Sequence, residues 1–284
     1  MAYSAENRSA FDRLCDDISR IVPFVGAGLS AFLYPCWKDF LNQSAQNLNP
    51  AEKSKVQSLL DNGNYEEAAG IIEKSRGDKF RQDIIEAFGE QKLKSPEAIG
   101  ALKNQAVYIL PELFEGLVLT TNFDRTLEHV YELRGKRFKA VGHPPQSGLL
   151  SDALKGINCP CLFKLHGDIE SPDRLVLTGE RYDFCYREGG ALVRELEAVF
   201  SKKSVLFLGC SLEQDRTMDV FDRMLNPGIT HYAIVGSAEE DIGRKRTLSI
   251  KKNIQAVIYP EKEYSAVKTI LEKASALVGG SSCN

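Results

Sequence analysis

What this chain lacks removes several classes of function. No apolar run reaches the roughly 18 residues of a membrane-spanning helix, so no transmembrane helix is expected. The opening MAYSAENRSAFDRL has no basic start followed by an apolar core, so no signal peptide is visible. An excess of charge of one sign is missing too. Net charge is −3 with acids and bases mixed along the chain, which leaves no electrostatic footprint for nucleic acid or an anionic membrane. The seven cysteines are odd in number and irregularly spaced, mostly within apolar runs, and are expected to be reduced, buried thiols in the cytoplasm. Cys159-Pro160-Cys161 is the only close pair, and without a second knuckle no structural zinc is expected. No internal repeat or low-complexity segment is evident.

What is present fits an ordinary globular protein. The 284 residues, 43% hydrophobic and 26% charged, suffice for one large α/β domain, or one domain with an inserted subdomain. The organising stretch is LVLTTNFD at 117–124. Leu117 to Thr120 is a short, β-branched apolar run, as in a strand buried on both faces. Thr121, Asn122 and Asp124 follow, and then a helical pattern of Leu127, Val130, Tyr131 and Leu133. Ligands of open α/β sheets bind just beyond the carboxyl ends of the strands, where these polar residues fall.

Further strands are predicted at Ile21–Val25, Arg137–Val141, Cys159–Leu165, Leu175–Thr178, Val205–Leu208, His231–Val235 and Ile254–Tyr259. Helices are expected at about 6–20, 190–201, 215–225 and 238–250, and from 260 onward to about Val278. The fold class is therefore α/β and Rossmann-like, a mainly parallel sheet flanked by helices. Residues 38–113 read as helix throughout and predict a helical insertion, within one domain spanning 1–278 and ending in a polar tail at 279–284.

Polar turns close several strands. Gly26-Ala27-Gly28-Leu29-Ser30-Ala31 matches the spacing of a dinucleotide-binding glycine turn, whose N–H groups at a helix start attract pyrophosphate. The second strand and acidic residue of an ordinary dehydrogenase do not follow. Instead comes AFLYPCWKD, in which Trp37, the sole tryptophan, reads first as a core aromatic and second as part of a ligand-covering loop. His166 ends a strand in Leu165-His166-Gly167-Asp168, a better position for proton transfer than those of His129, His143 or His231. Gly209-Cys210-Ser211-Leu212 ends another strand.

Together GAGLS, TTNFD, LHGD and GCSL resemble the sirtuin family (silent information regulator two), over most of the chain. The resemblance implies that Gly26, Ala27, Gly28 and Ser30 cradle the phosphates of NAD. It implies that Asn122, beside Thr121, holds the ribose or orients a water, and that Asp124 meets the nicotinamide carboxamide. His166 would be the general base, and Gly209, Ser211 and Leu212 would bind the adenosine half. The arginine of the protein-deacylating members' first loop is missing from Pro35-Cys36-Trp37-Lys38, and their four-cysteine zinc ribbon is missing after His166. The combination is similar to zinc-free bacterial sirtuin-like domains of antiphage systems. That similarity implies an NAD+ glycohydrolase releasing nicotinamide and ADP-ribose, working as a homo-oligomer. It also implies a sensor such as an Argonaute or a nucleotide-binding ATPase, as partner or fused domain. The competing expectations are an NAD-dependent protein deacylase or ADP-ribosyltransferase, and a non-catalytic NAD- or ADP-ribose-binding module.

Overall fold

The computed structural model describes residues 5–212, 216–224, 226, 228–237, 248 and 253–280. Its centre is a seven-stranded sheet of β1 (Val22–Val25), β2 (Leu117–Thr120), β3 (Ala140–Gly142), β4 (Cys161–Lys164), β5 (Val205–Leu208), β6 (His231–Ser237) and β7 (Ile254–Pro260). The order is β3-β4-β2-β1-β5-β6-β7, and every pairing is parallel. The sequence therefore leaves β1 toward β2 on one side and returns to β5 on the other. The switch point beside β1 is where such sheets open a crevice for a ligand.

The central strands are buried on both faces because alternate residues serve different cores. Val25, Val118, Leu162 and Leu206 pack under α1 (Ala5–Asp17) and the closing helix Ser265–Gly280. Phe24, Leu119, Phe163 and Phe207 pack on the opposite face, under α11 (Ala191–Phe200) and α12 (Arg216–Arg223). That face also receives Leu150 and Ala153 of α9 (Leu149–Leu154), a helix the sequence pattern did not predict.

A third core belongs to the helical insertion. It comprises α2 (Trp37–Ala45), α3 (Pro50–Asp61), α4 (Tyr65–Arg76) and α5 (Asp78–Phe88), packed around Phe40, Leu41, Ile72, Phe80 and Ile84. Asn49 caps α3 by accepting the N–H of Glu52 at 2.9 Å, with Pro50 in the first turn. Ser95 caps α6 (Pro96–Lys103) in the same way through the N–H of Ala98. From α6 onward the side chains change allegiance: Leu102, Val107, Ile109 and Leu110 join the core of the sheet. The separate layer thus ends near Leu93, well short of Leu113.

Leu175–Thr178 is not a strand. It is an extended link between two cores, with Val176 buried under the sheet and Leu175 and Leu177 buried in the helical layer. The Val176 N–H goes to the carbonyl of His166 at 2.9 Å. The predicted helix 238–250 lies outside the described residues, Leu248 apart, and so do residues 281–284 of the predicted tail; Gly279 and Gly280 belong to the closing helix. The six described cysteines are free thiols, but only Cys161 is buried and Cys36 is exposed. Among the described residues no helix is long and apolar enough to cross a membrane.

Candidate active site

The turns after β1, β2, β4 and β5 lie along one edge of the parallel sheet and enclose two adjoining cavities. The larger, about 520 Å³, is lined by Ala27, Ser30, Thr121, Asn122, Asp124, His166 and Ser211 on the sheet side. Tyr34, Trp37, Tyr65, Glu66 and Phe88 line it from the helical layer, and Tyr182 from α10 (Gly179–Cys185). The smaller, about 300 Å³, is lined by Gly26, Gly209, Cys210, Ser211 and Leu212, with Thr217 and Met218 of α12. Ala27, Thr121 and Ser211 border both, so the two spaces form one crevice at the switch point.

Asn122 is held by groups far away in sequence. Its Nδ2 donates to the Gly26 carbonyl at 3.3 Å and to Ser30 Oγ at 3.1 Å. A carbonyl can only accept, so the amide orientation is fixed, with Oδ1 as the acceptor of a residue that lines the cavity. Thr120 sets the turn, its hydroxyl donating to the Val25 carbonyl at 2.8 Å and accepting the Asn122 N–H at 3.0 Å. Ser30 Oγ in turn donates to Asp124 Oδ2 at 3.1 Å. The other oxygen of Asp124 accepts the Thr126 N–H at 2.8 Å, at the start of α8 (Thr126–Leu133). The buried Ser30 hydroxyl therefore joins Asn122 to Asp124 rather than standing open to phosphate.

The N–H groups of the glycine turn are engaged within the protein. Ala27–Leu29 is one turn of 3-10 helix, and the next α-helix begins only at Trp37. The N–H groups of Gly28, Leu29 and Ser30 are taken by the carbonyls of Gly209, Gly26 and Ala27. They are not left pointing at a ligand, as in a glycine turn that opens a long helix. Gly28 lines neither cavity. Gly26 and Gly28 are glycines because the β1 turn lies directly on the β5 turn. A Cβ on Gly26 would meet the Gly209 carbonyl oxygen at 2.6 Å, and one on Gly28 would stand 3.0 Å from Gly209 Cα. Gly209 has φ +67, which a side chain would strain.

His166 forms part of the cavity wall. Burial pushes its pKa down to about 4, so the imidazole is neutral near pH 7 and able to accept a proton. The Tyr182 hydroxyl lies 3.4 Å from Nδ1 and 3.3 Å from Nε2. The two rings meet edge to face at 5.2 Å. Tyr182 carries no pattern that would have marked it in the sequence.

Lys164 did carry one, as a charge inside the apolar strand Cys161–Lys164. Alternation turns it toward α8, where Nζ is fully buried. It donates to Glu128 and to Asp168, each at 2.9 Å, and to the Asp124 carbonyl at 2.8 Å. One ammonium thus ties the turn that carries Asn122 to the turn that carries His166. Burial alone would lower its pKa, but Glu128 and Asp168 outweigh that and hold it above the ordinary lysine value.

Trp37 opens α2. It lines the cavity, and it packs against Phe40 at 5.4 Å and edge-on to Phe123 at 5.9 Å. At the far rim Arg216 joins three elements. Its guanidinium is paired with Glu66 of α4 at 3.0 Å and with Asp183 at 2.6 Å, and lies 5.8 Å over the Tyr182 ring. Among the described residues the lining includes Asp124, Glu66 and Glu67 and no lysine or arginine. No group of three or more His, Cys, Asp or Glu among the described residues could hold a metal ion.

The family described as "SIR2-like domain" matches residues 116–257, half of the sequence. A protein of Cytobacillus dafuensis named "NAD(+) hydrolase ThsA" is 26% identical over 217 residues, covering 74% of this chain and 40% of the relative. One of the same name from Acinetobacter baumannii (strain 532279) is 24% identical over 226 residues, covering 78% and 43%. The chain thus spans about two fifths of the length of these curated relatives. A solved structure reported under "Structural Basis for the Mechanism and Regulation of Sir2 Enzymes" aligns with 97% of this chain and all of its own, at 13% identity and a TM-score of 0.46.

Proposed function

The chain belongs to the SIR2-like domain family, and from that membership we propose that its crevice hydrolyses NAD+ to nicotinamide and ADP-ribose. The observation that carries the reading is that Asn122 and a neutral His166 line one cavity, with acidic and aromatic residues in the same lining. Two relatives named for NAD+ hydrolysis support it.

The lining suits the reacting end of NAD+. The nicotinamide of NAD+ is a cation, and it would meet Asp124, Glu66 and Glu67 and stack among Tyr34, Trp37, Tyr65 and Phe88. The pyrophosphate and adenosine would cross Ala27, Thr121 and Ser211 into the smaller cavity, toward Gly209 and Leu212.

In the proposed reaction the bond from C1′ of the ribose to the pyridinium nitrogen breaks, and its electron pair neutralises the ring. Nicotinamide therefore leaves without needing a proton. The ribose passes through an oxocarbenium-like state, as in glycoside hydrolysis. Asn122 Oδ1 accepts a hydrogen bond from a ribose hydroxyl or the attacking water, fixing its direction. Water bonds to C1′ and gives its proton to His166, which returns it to solvent.

We place this activity in the cytoplasm, in a homo-oligomer engaged in antiphage defence, with a sensor as a partner or fused domain controlling it. An unregulated hydrolase would exhaust its host's NAD+, which is the reason to expect such control. The test is nicotinamide release from NAD+ by the purified protein over a range of protein concentrations, beside His166→Ala. Turnover that rises more than proportionally with concentration and vanishes in the variant supports the reading. Tight NAD+ binding without turnover at any concentration favours a binding module instead.

A further inference from the structure

A histidine that works as a base needs one nitrogen bare toward its substrate and the other engaged, because the partner of the second nitrogen sets the tautomer and the ring orientation. A carboxylate commonly fills that role. Among the described residues no carboxylate meets His166; the group at its ring nitrogens is the phenol of Tyr182. The phenol oxygen stands at 3.4 Å from Nδ1 and 3.3 Å from Nε2. An oxygen so nearly equidistant cannot lie in the imidazole plane without striking Cε1 between the nitrogens, so it sits above the ring face. An imidazole N–H lies in the ring plane, so a rotation of the ring about its Cβ–Cγ bond is needed to point one nitrogen at this oxygen. Catalytic hydrogen bonds are often this loose before substrate binds and tighten afterwards.

Tyr182 is itself well held. Its ring stacks on Tyr186 at 5.8 Å and 26°, and Arg216 lies over it at 5.8 Å. The Tyr186 hydroxyl is anchored on Thr217 Oγ1 at 2.8 Å. Tyr182 also lines the larger cavity, so the phenol and the imidazole face the same space.

We propose that Tyr182 is the positioning residue of His166, its phenol oxygen accepting the N–H of one ring nitrogen once the imidazole has rotated toward it, and leaving the other bare toward the cavity. The phenol is neutral, so it orients the imidazole without adding a buried charge. The proposal deepens the hydrolase reading and rests on it only for its effect on rate.

The test is Tyr182→Phe, which keeps the ring and its stacking and removes only the oxygen. Nitrogen-15 NMR of histidine-labelled protein reads the tautomer directly, and with four histidines in the chain the His166 signals can be assigned by comparison with His166→Gln. One tautomer should dominate in the parent and give way to a mixture in Tyr182→Phe. With NAD+ as substrate, kcat should fall about 10- to 100-fold, the usual cost of losing an outer-shell partner, while KM stays within about threefold. An unchanged His166 spectrum overturns the proposal, whatever happens to the rate. A changed spectrum with parental kcat overturns the catalytic part. If the parent shows no turnover, the hydrolase reading fails on its own, and the spectrum still decides whether Tyr182 orients His166.

Discussion

Ser30 Oγ lies 3.1 Å from Asn122 Nδ2 and 3.1 Å from Asp124 Oδ2, so one hydroxyl couples the two polar residues of the β2 turn to the turn after β1. Ser30→Ala leaves the Asn122 amide with only the Gly26 carbonyl and deprives Asp124 of a donor. The expected outcome is about a tenfold loss in kcat/KM for NAD+, about 1.4 kcal/mol of transition-state stabilisation. The folding cost should be about 1 kcal/mol, as for one buried hydrogen bond. Steady-state kinetics and a denaturant midpoint separate the two. Parental kcat/KM would mean that Asn122 is oriented without Ser30.

His166→Ala and Asn122→Asp should each lower nicotinamide release by about 100- to 10,000-fold. The aspartate is nearly isosteric, but it sets an oxygen against the Gly26 carbonyl where the amide nitrogen now donates. Circular dichroism should show both variants folded. Turnover by both at the parental rate would refute the assignment.

Lys164→Met should destabilise strongly. It leaves Asp168 buried without its cation and Glu128 with only Arg125, 3.6 Å away, and breaking one side of a buried ion pair costs about 3–5 kcal/mol. A companion variant, Lys164→Met with Glu128→Gln and Asp168→Asn, should recover part of that loss. Thermal melts of the parent and the two variants test this; no recovery in the companion would show that the loss comes from packing, not charge.

Gly26→Ala should be costlier than Gly28→Ala. The new methyl would stand 2.6 Å from the Gly209 carbonyl oxygen and 2.8 Å from Cys210 Sγ, against closest approaches of 3.0 Å at Gly28. Both changes force the β1 and β5 turns apart rather than block a ligand directly. Stability and NAD+ affinity should therefore fall together, Gly26→Ala more. A stable Gly26→Ala protein that has lost only affinity would contradict this.

Stability should decline on acidification before the carboxylates titrate fully. His166 and His231 are both lowered by burial from 6.5 to about 4. Between those values the unfolded chain binds protons that the folded chain refuses, so this contribution is complete above about 6.5 and is lost as pH falls toward 4. His166→Gln should show a shallower fall in melting temperature between pH 6.5 and 4.5 than the parent. Over the same range the parent's kcat should stay nearly flat, then drop near pH 4 as the base takes its proton. A rate already halved at pH 6.5 would mean that His166 titrates like an exposed histidine.

The strands were legible where an apolar, β-branched run stood alone. Leu117–Thr120 and Val205–Leu208 have the predicted limits, because residues buried on both faces leave a continuous apolar signal. Leu175–Thr178 carries the same signal for another reason. It is buried between the sheet and the helical layer, and local pattern cannot tell which neighbour does the burying. The strand-end motifs were legible too: Asn122, Asp124, His166 and Ser211 all border the crevice.

By itself the sequence determined the alternation of strand and helix, the helical insertion after the first turn, and the order in which polar turns end the strands. These depend on periodicity and short motifs, which are local properties. Only the tertiary structure decided what each polar group faces. It turned the Ser30 hydroxyl toward a turn 92 residues away, spent the glycines of the β1 turn on packing against Gly209, and buried Lys164 between two carboxylates. It joined Glu66 to Arg216 across 150 residues and set Tyr182 over His166. A hydrogen bond is satisfied by whichever partner the fold brings within about 3 Å, and distance along the chain says little about that.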